Sequence, residues 1–210
     1  MKRAIILASS PEINIEFCRQ QIKADDFVIC ADGGLNVANK LNIRPDLVVG
    51  DFDSFKNELP QNIEIMKLNV KKDSTDTLVC ADEAVKRGAC EVIVLGGIGG
   101  RMDHTFANYS VLLFLANKGV KASLQDEKCE ITVLNEGKYT FGGHCGKTVS
   151  LFPFGTESVN VSYKNLAYNL EKTDLIAEYP MGISNIIMDD KAEITIYKGT
   201  AILFMNREVV

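Results

Sequence analysis

Two apolar segments that each run into glycine and aspartate constrain the fold of this chain more than any other feature. The segments are residues 27–31 and 47–49, and the polar residues that follow them are Asp32, Gly33, Gly34, Gly50, Asp51 and Asp53. Short uninterrupted apolar runs are typical of buried parallel strands. Because ligands bind at the carboxyl edge of an open parallel sheet, we expect these polar residues to share one binding edge.

Three carboxylates at one sheet edge indicate a divalent metal and a phosphate. Asp32, Asp51 and Asp53 would repel a phosphate unless a hard cation such as Mg2+ lay between them. The alternative is that the aspartates and glycines only form turns and helix caps, where both residue types are common. The repetition of the same design after two successive strands favours the metal site.

Strand and helix patterns alternate as far as about residue 125. Apolar runs predict strands, and apolar residues at helical spacing predict helices between them. The predicted strands are residues 4–8, 27–31, 47–50, 63–68, 91–95 and 120–124, and the predicted helices are residues 13–23, a segment after Gly34, 75–87 and 106–118. This order predicts an α/β fold in which residues 1–125 form a Rossmann-like α/β/α domain around a parallel sheet.

The pattern changes to short strands without long helices after about residue 125. The predicted strands are residues 131–134, 138–141, 148–152, 158–163, 193–197 and 200–205. Strands at this spacing predict an antiparallel β-sandwich or barrel over residues 126–210. We predict that Lys198 and Gly199 form a tight hairpin turn between the last two strands.

Composition and charge exclude several classes of partner. Of the 210 residues, 46% are apolar and 24% are charged, which is ordinary for a globular protein. The formal net charge is -5 and the basic residues form no block, so we expect no nucleic-acid partner. We expect no membrane partner either, because the apolar runs are too short to span a bilayer. The six cysteines include no CxxC pair, which indicates reduced thiols in a cytoplasmic protein.

A glycine-rich segment, GGIGGR at residues 96–101, follows the predicted strand at residues 91–95. Its glycines, Gly97 among them, predict a loop whose backbone N–H groups approach a phosphate, and Arg101 adds a fork of donors. A strained turn before a helix is the alternative. Asp103 and His104 come next, and His104 is either a general base or a structural residue at the helix start.

The predicted helix at residues 75–87 begins at the same sheet edge. Thr75 can offer a hydroxyl to a phosphate from there, and Asp76 can join the carboxylates of the metal site. Simple capping of the helix by Asp73 or Asp76 is the alternative. The neighbouring GDFDS segment at residues 50–54 favours the functional interpretation of Asp76.

The segment GGHCGKT at residues 142–148 imitates a phosphate-binding P-loop. Phe141 stands where that motif requires its first glycine, and a predicted strand follows where the motif requires a helix. We therefore predict a hairpin loop in which Lys147 is a solvated surface charge.

Four motifs occur in one order along the chain: ADGG, PDLVVGDFDS, DSTDTLVCADEA and GGIGGRMDH. Over about residues 30–110 the chain thereby resembles the thiamine pyrophosphokinase (thiamin diphosphokinase) family. The segment GISN at residues 182–185 is similar to that family's thiamine-pocket segment. The resemblance implies transfer of the pyrophosphoryl group of ATP to the hydroxyl of thiamine, giving thiamine diphosphate and AMP.

The resemblance also implies roles for residues of this chain. The carboxylates that would hold Mg2+ are Asp51, Asp53 and Asp76. By the resemblance, the residues that would bind ATP or orient the reacting groups are Asp32, Gly33, Gly34, Arg101 and Asp103. To these ATP-binding candidates the local chemistry described above adds Thr75, Gly97 and His104. The residues that would face thiamine are Ser184 and Asn185.

The assembly that the resemblance implies is a homodimer of chains with an N-terminal α/β domain and a C-terminal β-sandwich. Adjacent apolar pairs in the β-rich part, such as Leu203-Phe204, point to both faces of a strand and indicate a face that needs cover. We expect a second copy to supply that cover and each thiamine pocket to be shared between subunits.

Two other functions are compatible with the motifs. One is a Mg2+-dependent kinase or pyrophosphokinase that acts on another small alcohol, such as a pterin. The other is a sensor that binds a nucleotide or thiamine without turnover. The formation of AMP, of ADP or of neither product separates the three functions.

Overall fold

The computed structural model describes residues 2–51, 62–69 and 73–209 of the chain. Asp53, which the sequence assigns to the metal site, lies outside the described residues. Two compact units make up the chain, Met1–Glu127 and Lys128–Val210.

The first unit alternates strands with helices, as predicted. Its strands are β1 (Arg3–Leu7), β2 (Phe27–Ala31), β3 (Leu47–Gly50), β4 (Glu64–Lys67), β5 (Glu91–Leu95) and β6 (Lys121–Gln125). Its helices are α1 (Ile15–Gln21), α2 (Gly34–Leu41), α3 (Asp76–Lys86) and α4 (Met102–Asn117). Helix α4 begins earlier than its predicted start at residue 106, because Arg101 at the end of the glycine-rich loop is already its N-cap.

The strands of the first unit form a parallel sheet in the order β4-β3-β2-β1-β5-β6. The chain passes outward from β1 to β4 and then returns to the other side of β1 at β5. The carboxyl ends of β1 and β5 therefore form the topological switch point, the place where ligands bind in open α/β sheets.

Aliphatic side chains from alternate strand positions hold this unit together. Ile5 and Leu7 of β1 and Val48 of β3 share a buried cluster with Leu35 and Leu41 of α2. Burial of each such side chain contributes about 1.5–3 kcal/mol to folding. Because the cluster includes residues of four strands and both α1 and α2, it fixes the carboxyl ends of the strands relative to one another.

The second unit consists of strands and connecting loops in its described residues. Its strands are β7 (Cys129–Leu134), β8 (Gly137–Thr140), β9 (Lys147–Pro153), β10 (Ser158–Lys164), β11 (Leu170–Ile176), β12 (Asn185–Ile186), β13 (Glu193–Lys198) and β14 (Ala201–Val209). They pair antiparallel in two sets, β12-β9-β14-β7 and β11-β10-β13-β8. Residues of both sets share one buried cluster, for example Leu151 and Leu203 from the first and Val161 and Ile194 from the second.

Two local predictions for the second unit are wrong. The turn at Gly199 does not close a hairpin, because β13 pairs with β10 and β8 whereas β14 pairs with β7 and β9. The loop at residues 142–146 is likewise not a hairpin loop, since β8 and β9 belong to different sheets. A strand does begin at Lys147, so the argument against a P-loop is confirmed.

The chain combines a helix-flanked parallel sheet with antiparallel sheets, which confirms the predicted mixture of α/β and all-β parts. All six cysteines are free thiols; Cys18, Cys30 and Cys80 are buried, whereas Cys90 and Cys145 are exposed. Among the described helices, none has the length and hydropathy needed to cross a membrane.

Candidate active site

A cleft of about 310 Å³ opens at the switch point of the parallel sheet. Four loops or helix ends contribute to its lining. They are residues 8–11 after β1, Ala31 and Asp32 at the end of β2, residues 75–77 at the start of α3, and the glycine-rich loop with the first turns of α4. The sequence argument that polar residues meet at the carboxyl edge of this sheet is therefore confirmed for Asp32 and Asp76.

Asp32 lies in the wall of this cleft in a left-handed backbone conformation. Its φ is +44°, a conformation in which aspartate is several-fold enriched among residues other than glycine. Its backbone N–H donates to the carbonyl of Val49 at 2.7 Å, which ties the end of β2 to β3. A β-carbon at Gly50 would lie only 3.1 Å from the Asp32 α-carbon. Gly50 therefore provides the space that Asp32 occupies, directly before Asp51.

The start of α3 brings a hydroxyl and a carboxylate to the cleft. Thr75 is the N-cap, and its Oγ1 accepts a hydrogen bond from the N–H of Leu78 at 3.2 Å. The capping role that the sequence allowed for Asp73 or Asp76 thus belongs to Thr75. The hydroxyl hydrogen of Thr75 remains a possible donor to a ligand, and Asp76 stands half-buried in the first helical turn.

Several backbone groups of the glycine-rich loop form hydrogen bonds within the protein. The N–H of Gly99 donates to Thr105 Oγ1 at 3.2 Å, and the N–H of Gly100 donates to a carboxylate oxygen of Glu12 at 2.9 Å. Gly97 lines the cleft, and its carbonyl accepts from Asn108 Nδ2 at 2.8 Å. The N–H groups of Gly99 and Gly100 are thus bonded within the protein, and Arg101 beside them supplies side-chain donors for an anion.

Arg101 is the cationic side chain of the cleft, and it is paired with Asp103. Its Nε and Nη2 donate to the two carboxylate oxygens at 3.2 and 2.6 Å. The pair is exposed, with 72% of the arginine side chain and 65% of the aspartate side chain accessible. The hydrogen bond from Arg101 lowers the pKa of Asp103, so the carboxylate stays charged at neutral pH. Asp103 also accepts from the backbone N–H of His104, which lines the cleft itself.

The structure brings together part of the predicted site. The predicted residues that line the cleft are Asp32, Thr75, Asp76, Gly97, Arg101 and His104. Among the described residues of this unit, the predicted ones that lie outside the lining are Gly33, Gly34, Asp51 and Asp103. A β-carbon on Gly34 would lie 1.9 Å from the carbonyl oxygen of Leu7, so this glycine allows α2 to approach β1.

The carboxylates at the cleft suit a magnesium ion by their chemistry. Mg2+ prefers oxygen ligands and uses one or two protein carboxylates together with water and substrate phosphates. Asp32 and Asp76 line the same cleft, and Asp51 follows the neighbouring strand. Within the described ranges, no three carboxylate, imidazole or thiol groups lie close enough to form a metal site of their own.

Sequence reasoning missed several residues of the cleft. Ser9 and Ser10 follow β1 as Asp32 follows β2, so the same rule about strand ends could have found them. Asn108 is 6% exposed and reaches the cleft floor from the second turn of α4. Its role depends on the tertiary contact with Gly97, which no local pattern reveals.

A second depression lies beside the cleft, between α3 and α4, with a volume of about 430 Å³. Its apolar lining residues are Leu78, Phe106, Ala107, Val111 and Phe114. Carboxylates of Asp73 and Asp103 stand in the same lining, and Thr75 and Ala107 belong to both depressions. The groove therefore combines apolar contact with negative charge.

The predicted thiamine residues lie in the second unit. Ser184 is exposed with a φ of +56°, and its N–H donates to Ser150 Oγ at 2.9 Å. Asn185 is 6% exposed, and its side-chain amide accepts from the N–H of Tyr168 at 2.9 Å and donates to the carbonyl of Tyr168 at 2.7 Å. Asn185 thereby fixes the backbone of Tyr168, whose ring is 70% exposed.

Two family models match the chain, and together they cover both units. The model described as thiamin pyrophosphokinase, catalytic domain, matches residues 18–124. The model described as thiamin pyrophosphokinase, vitamin B1 binding domain, matches residues 128–200. The chain belongs to the thiamin pyrophosphokinase family, and the family prediction from the sequence motifs is confirmed.

Individual relatives agree with this assignment. Thiamine pyrophosphokinase 1 of Oryza sativa subsp. japonica is 27% identical over an alignment 201 residues long. The match covers 80% of this chain and 74% of that protein. The crystal structure of thiamine pyrophosphokinase from Bacillus subtilis has a TM-score of 0.89 at 21% identity and covers 99% of this chain and 100% of its own. The corresponding structure from Geobacillus thermodenitrificans has a TM-score of 0.84 at 24% identity, covering 99% and 98%. These structural matches establish the shared fold.

Proposed function

We propose that this chain transfers the pyrophosphoryl group of ATP to the hydroxyl of thiamine, releasing thiamine diphosphate and AMP. The observation that carries the proposal is the cleft at the switch point, where Asp32, Asp76, Thr75 and Arg101 converge in a member of the thiamin pyrophosphokinase family. Attack of an alcohol on the β-phosphorus requires alignment and charge neutralisation more than a strong base.

Different side chains of the cleft would align the substrates and neutralise their charge. Arg101 donates to phosphate oxygens with the N–H groups that it does not use on Asp103, and Asp103 holds the guanidinium in place. Thr75 offers its hydroxyl hydrogen to a phosphate oxygen while its oxygen keeps the cap of α3. His104 and Gly97 border the polyphosphate, and Gly33 and Gly34 shape the turn that carries Asp32.

Magnesium is the cofactor that the carboxylates of this site would hold. Asp76, Asp51 and Asp53 are the proposed ligands, and Asp32 is proposed to lie near the nucleotide phosphates. When bound, the ion neutralises charge on the triphosphate and on the leaving AMP. Arg101, which lines the same cleft as Asp76, would supply further positive charge to the phosphates.

The second unit is the proposed binding site for thiamine. Ser184, exposed at the surface, offers a hydroxyl, and Asn185 contributes by fixing Tyr168 beside it. An exposed aromatic ring attracts a cationic heteroaromatic ligand through its π-face. Because the chain contains no tryptophan, Tyr168 is the ring that we assign to this contact.

A product assay tests the proposed function. The protein is incubated with ATP, Mg2+ and thiamine, and the nucleotides and thiamine phosphates are separated and quantified. We expect AMP and thiamine diphosphate in equal amounts, with no AMP when thiamine is omitted. Thiamine-dependent ADP would identify a simple kinase instead, and binding of both ligands without either product would identify a sensor.

We further infer the finer features of architecture and location. Residues 1–125 would be the catalytic domain, of Rossmann-like α/β/α type, and residues 126–210 the thiamine-binding domain. The buried cluster shared by the two antiparallel sheets of the second unit supports a β-sandwich. The free cysteines support a reducing, cytoplasmic location.

We also propose a homodimer in which each thiamine pocket is shared between subunits. Exposed apolar side chains surround the Ser184 segment, namely Tyr168, Tyr179, Met181, Ile183 and Met188. A second copy would cover such a surface. Mixing an Asp76→Asn variant with a Ser184→Ala, Asn185→Ala variant should restore part of the activity after subunit exchange. A monomer by light scattering would contradict the dimer, and absence of complementation after confirmed exchange would contradict the shared pocket.

A further inference from the structure

Three consecutive residues of the β1–α1 connection, residues 11–13, pack closely against the glycine-rich loop. A β-carbon on Gly96 would lie 2.5 Å from Ile13 Cδ1, and one on Gly100 would lie 2.7 Å from Pro11 Cδ. A β-carbon on Gly99 would lie between 2.7 and 3.0 Å from the carboxyl atoms of Glu12. Side chains at these three positions would collide with residues 11–13. The glycines therefore allow the two segments to approach each other closely.

Hydrogen bonds join the same two segments. The carboxylate of Glu12 accepts from the N–H of Gly100 at 2.9 Å, and the N–H of Glu12 donates to Ser10 Oγ at 3.2 Å. The N–H of Ser10 in turn donates to the carbonyl of Gly96 at 2.8 Å. The connection after β1 thus holds the glycine-rich loop near its first residue and again at Gly100, directly before Arg101.

The position of Glu12 is costly for a site that binds a polyanion. A carboxylate beside the loop repels the phosphates of ATP, and it occupies an N–H group that a phosphate could use. A geometric role accounts for this arrangement, because the peptide that Glu12 holds determines where the backbone of Arg101 begins. The length of the Glu12 side chain, rather than its charge, would then be what the site needs.

We propose that Glu12 is a positioning residue that holds the glycine-rich loop and thereby directs Arg101 toward the phosphates of ATP. This inference rests on the proposed function of the cleft. Glu12 acts through Gly100 and Arg101 and does not itself contact the reacting atoms. The proposal predicts that a side chain of equal length preserves the effect without the charge, whereas a shorter acid does not.

The pair Glu12→Gln and Glu12→Asp separates reach from charge. Glutamine can accept from the Gly100 N–H at the same distance, whereas aspartate keeps the charge and is one methylene too short. We expect Glu12→Asp and Glu12→Ala to raise the KM for ATP about tenfold and leave the KM for thiamine within about twofold of the wild type. We expect Glu12→Gln to stay within about threefold for both. Glu16→Ala removes an exposed acid from the neighbouring helix α1 and should change neither constant.

Amide hydrogen exchange provides a readout that does not depend on turnover. We expect faster exchange at residues 99–101 in Glu12→Asp and Glu12→Ala and near-wild-type exchange in Glu12→Gln. Tighter ATP binding in both Glu12→Gln and Glu12→Ala would overturn the proposal, because it would show a carboxylate that competes with phosphate. Unchanged exchange and an unchanged KM in Glu12→Asp would overturn it as well. If the wild type formed no thiamine diphosphate, the proposed function would fail while the exchange pattern still tested the loop contact.

Discussion

Replacement of Gly34 by alanine should damage both the stability of the first unit and the binding of ATP. The added β-carbon would lie 1.9 Å from the carbonyl oxygen and 2.7 Å from the carbonyl carbon of Leu7, whereas ordinary van der Waals contact begins at 3.4 Å. Both obstructing atoms belong to the backbone of the buried strand β1, so no rotamer change relieves the overlap. The start of α2 must move, and Asp32 lies only two residues before it.

The size of the effect follows from this overlap. Overpacking of a well-packed interior costs about 1–3 kcal/mol, and a backbone obstacle places Gly34→Ala at the upper end of that range. For a chain of 210 residues, each kcal/mol lowers Tm by about 2–4 °C, so we expect a decrease of about 6–12 °C. Displacement of Asp32 should also raise the KM for ATP several-fold.

Thermal unfolding by circular dichroism and steady-state kinetics with ATP measure both effects. Gly142→Ala is the matched control, because its nearest atom, a carbonyl oxygen of Asp190, would be 3.7 Å from the new β-carbon. This control should be neutral or more stable by up to about 1 kcal/mol, since alanine restricts the unfolded chain. A Tm for Gly34→Ala equal to that of Gly142→Ala would refute the steric reasoning.

Three further substitutions test the site. Asp76→Asn should reduce kcat/KM at least about a hundredfold. Its unfolding free energy should stay within about 1 kcal/mol of the wild type, because Thr75 provides the cap of α3. Full Mg2+-dependent turnover in this variant would contradict the assignment of Asp76 as a metal ligand. Arg101→Lys should lower kcat/KM for ATP about tenfold or more, because an ammonium cannot replace the guanidinium fork, and wild-type turnover at all ATP concentrations would reduce Arg101 to a surface charge. Lys147→Ala should leave the KM for ATP and kcat unchanged within about twofold, since Lys147 begins strand β9 in the second unit; a large increase in the KM for ATP would show that the loop before it binds the nucleotide.

The inner strands of the parallel sheet, β1, β2, β3 and β5, could be predicted from sequence because they are buried on both faces. The predicted bounds of β2, β3 and β5 agree with the structure, since continuous apolar runs flanked by glycine or aspartate leave little ambiguity. The same rule located Asp32 and Asp76 at one edge. The carboxyl ends of neighbouring parallel strands lie at the same edge of a sheet, so this placement does not depend on the details of side-chain packing.

Features that depend on contacts between distant segments were not accessible from sequence. Strand β11 escaped prediction because LEKTDLI is mostly polar and exposed, with Leu175 its buried residue. The turn at Gly199 has the composition of a hairpin, yet it connects strands of two different sheets, and local sequence does not distinguish these cases. The hydrogen bond from Gly100 in the glycine-rich loop to Glu12 could not be predicted, because these two residues are 88 positions apart.

Transfer of an isotopic label from ATP tests the central claim most directly. ATP labelled at the β-phosphorus is incubated with the protein, thiamine and Mg2+, and the label is located in the separated products. Attack of the thiamine hydroxyl on the β-phosphorus predicts that the label appears in thiamine diphosphate, that AMP is unlabelled, and that Asp76→Asn suppresses the transfer. Label retained in ADP, with thiamine monophosphate as the product, would contradict pyrophosphoryl transfer by this chain.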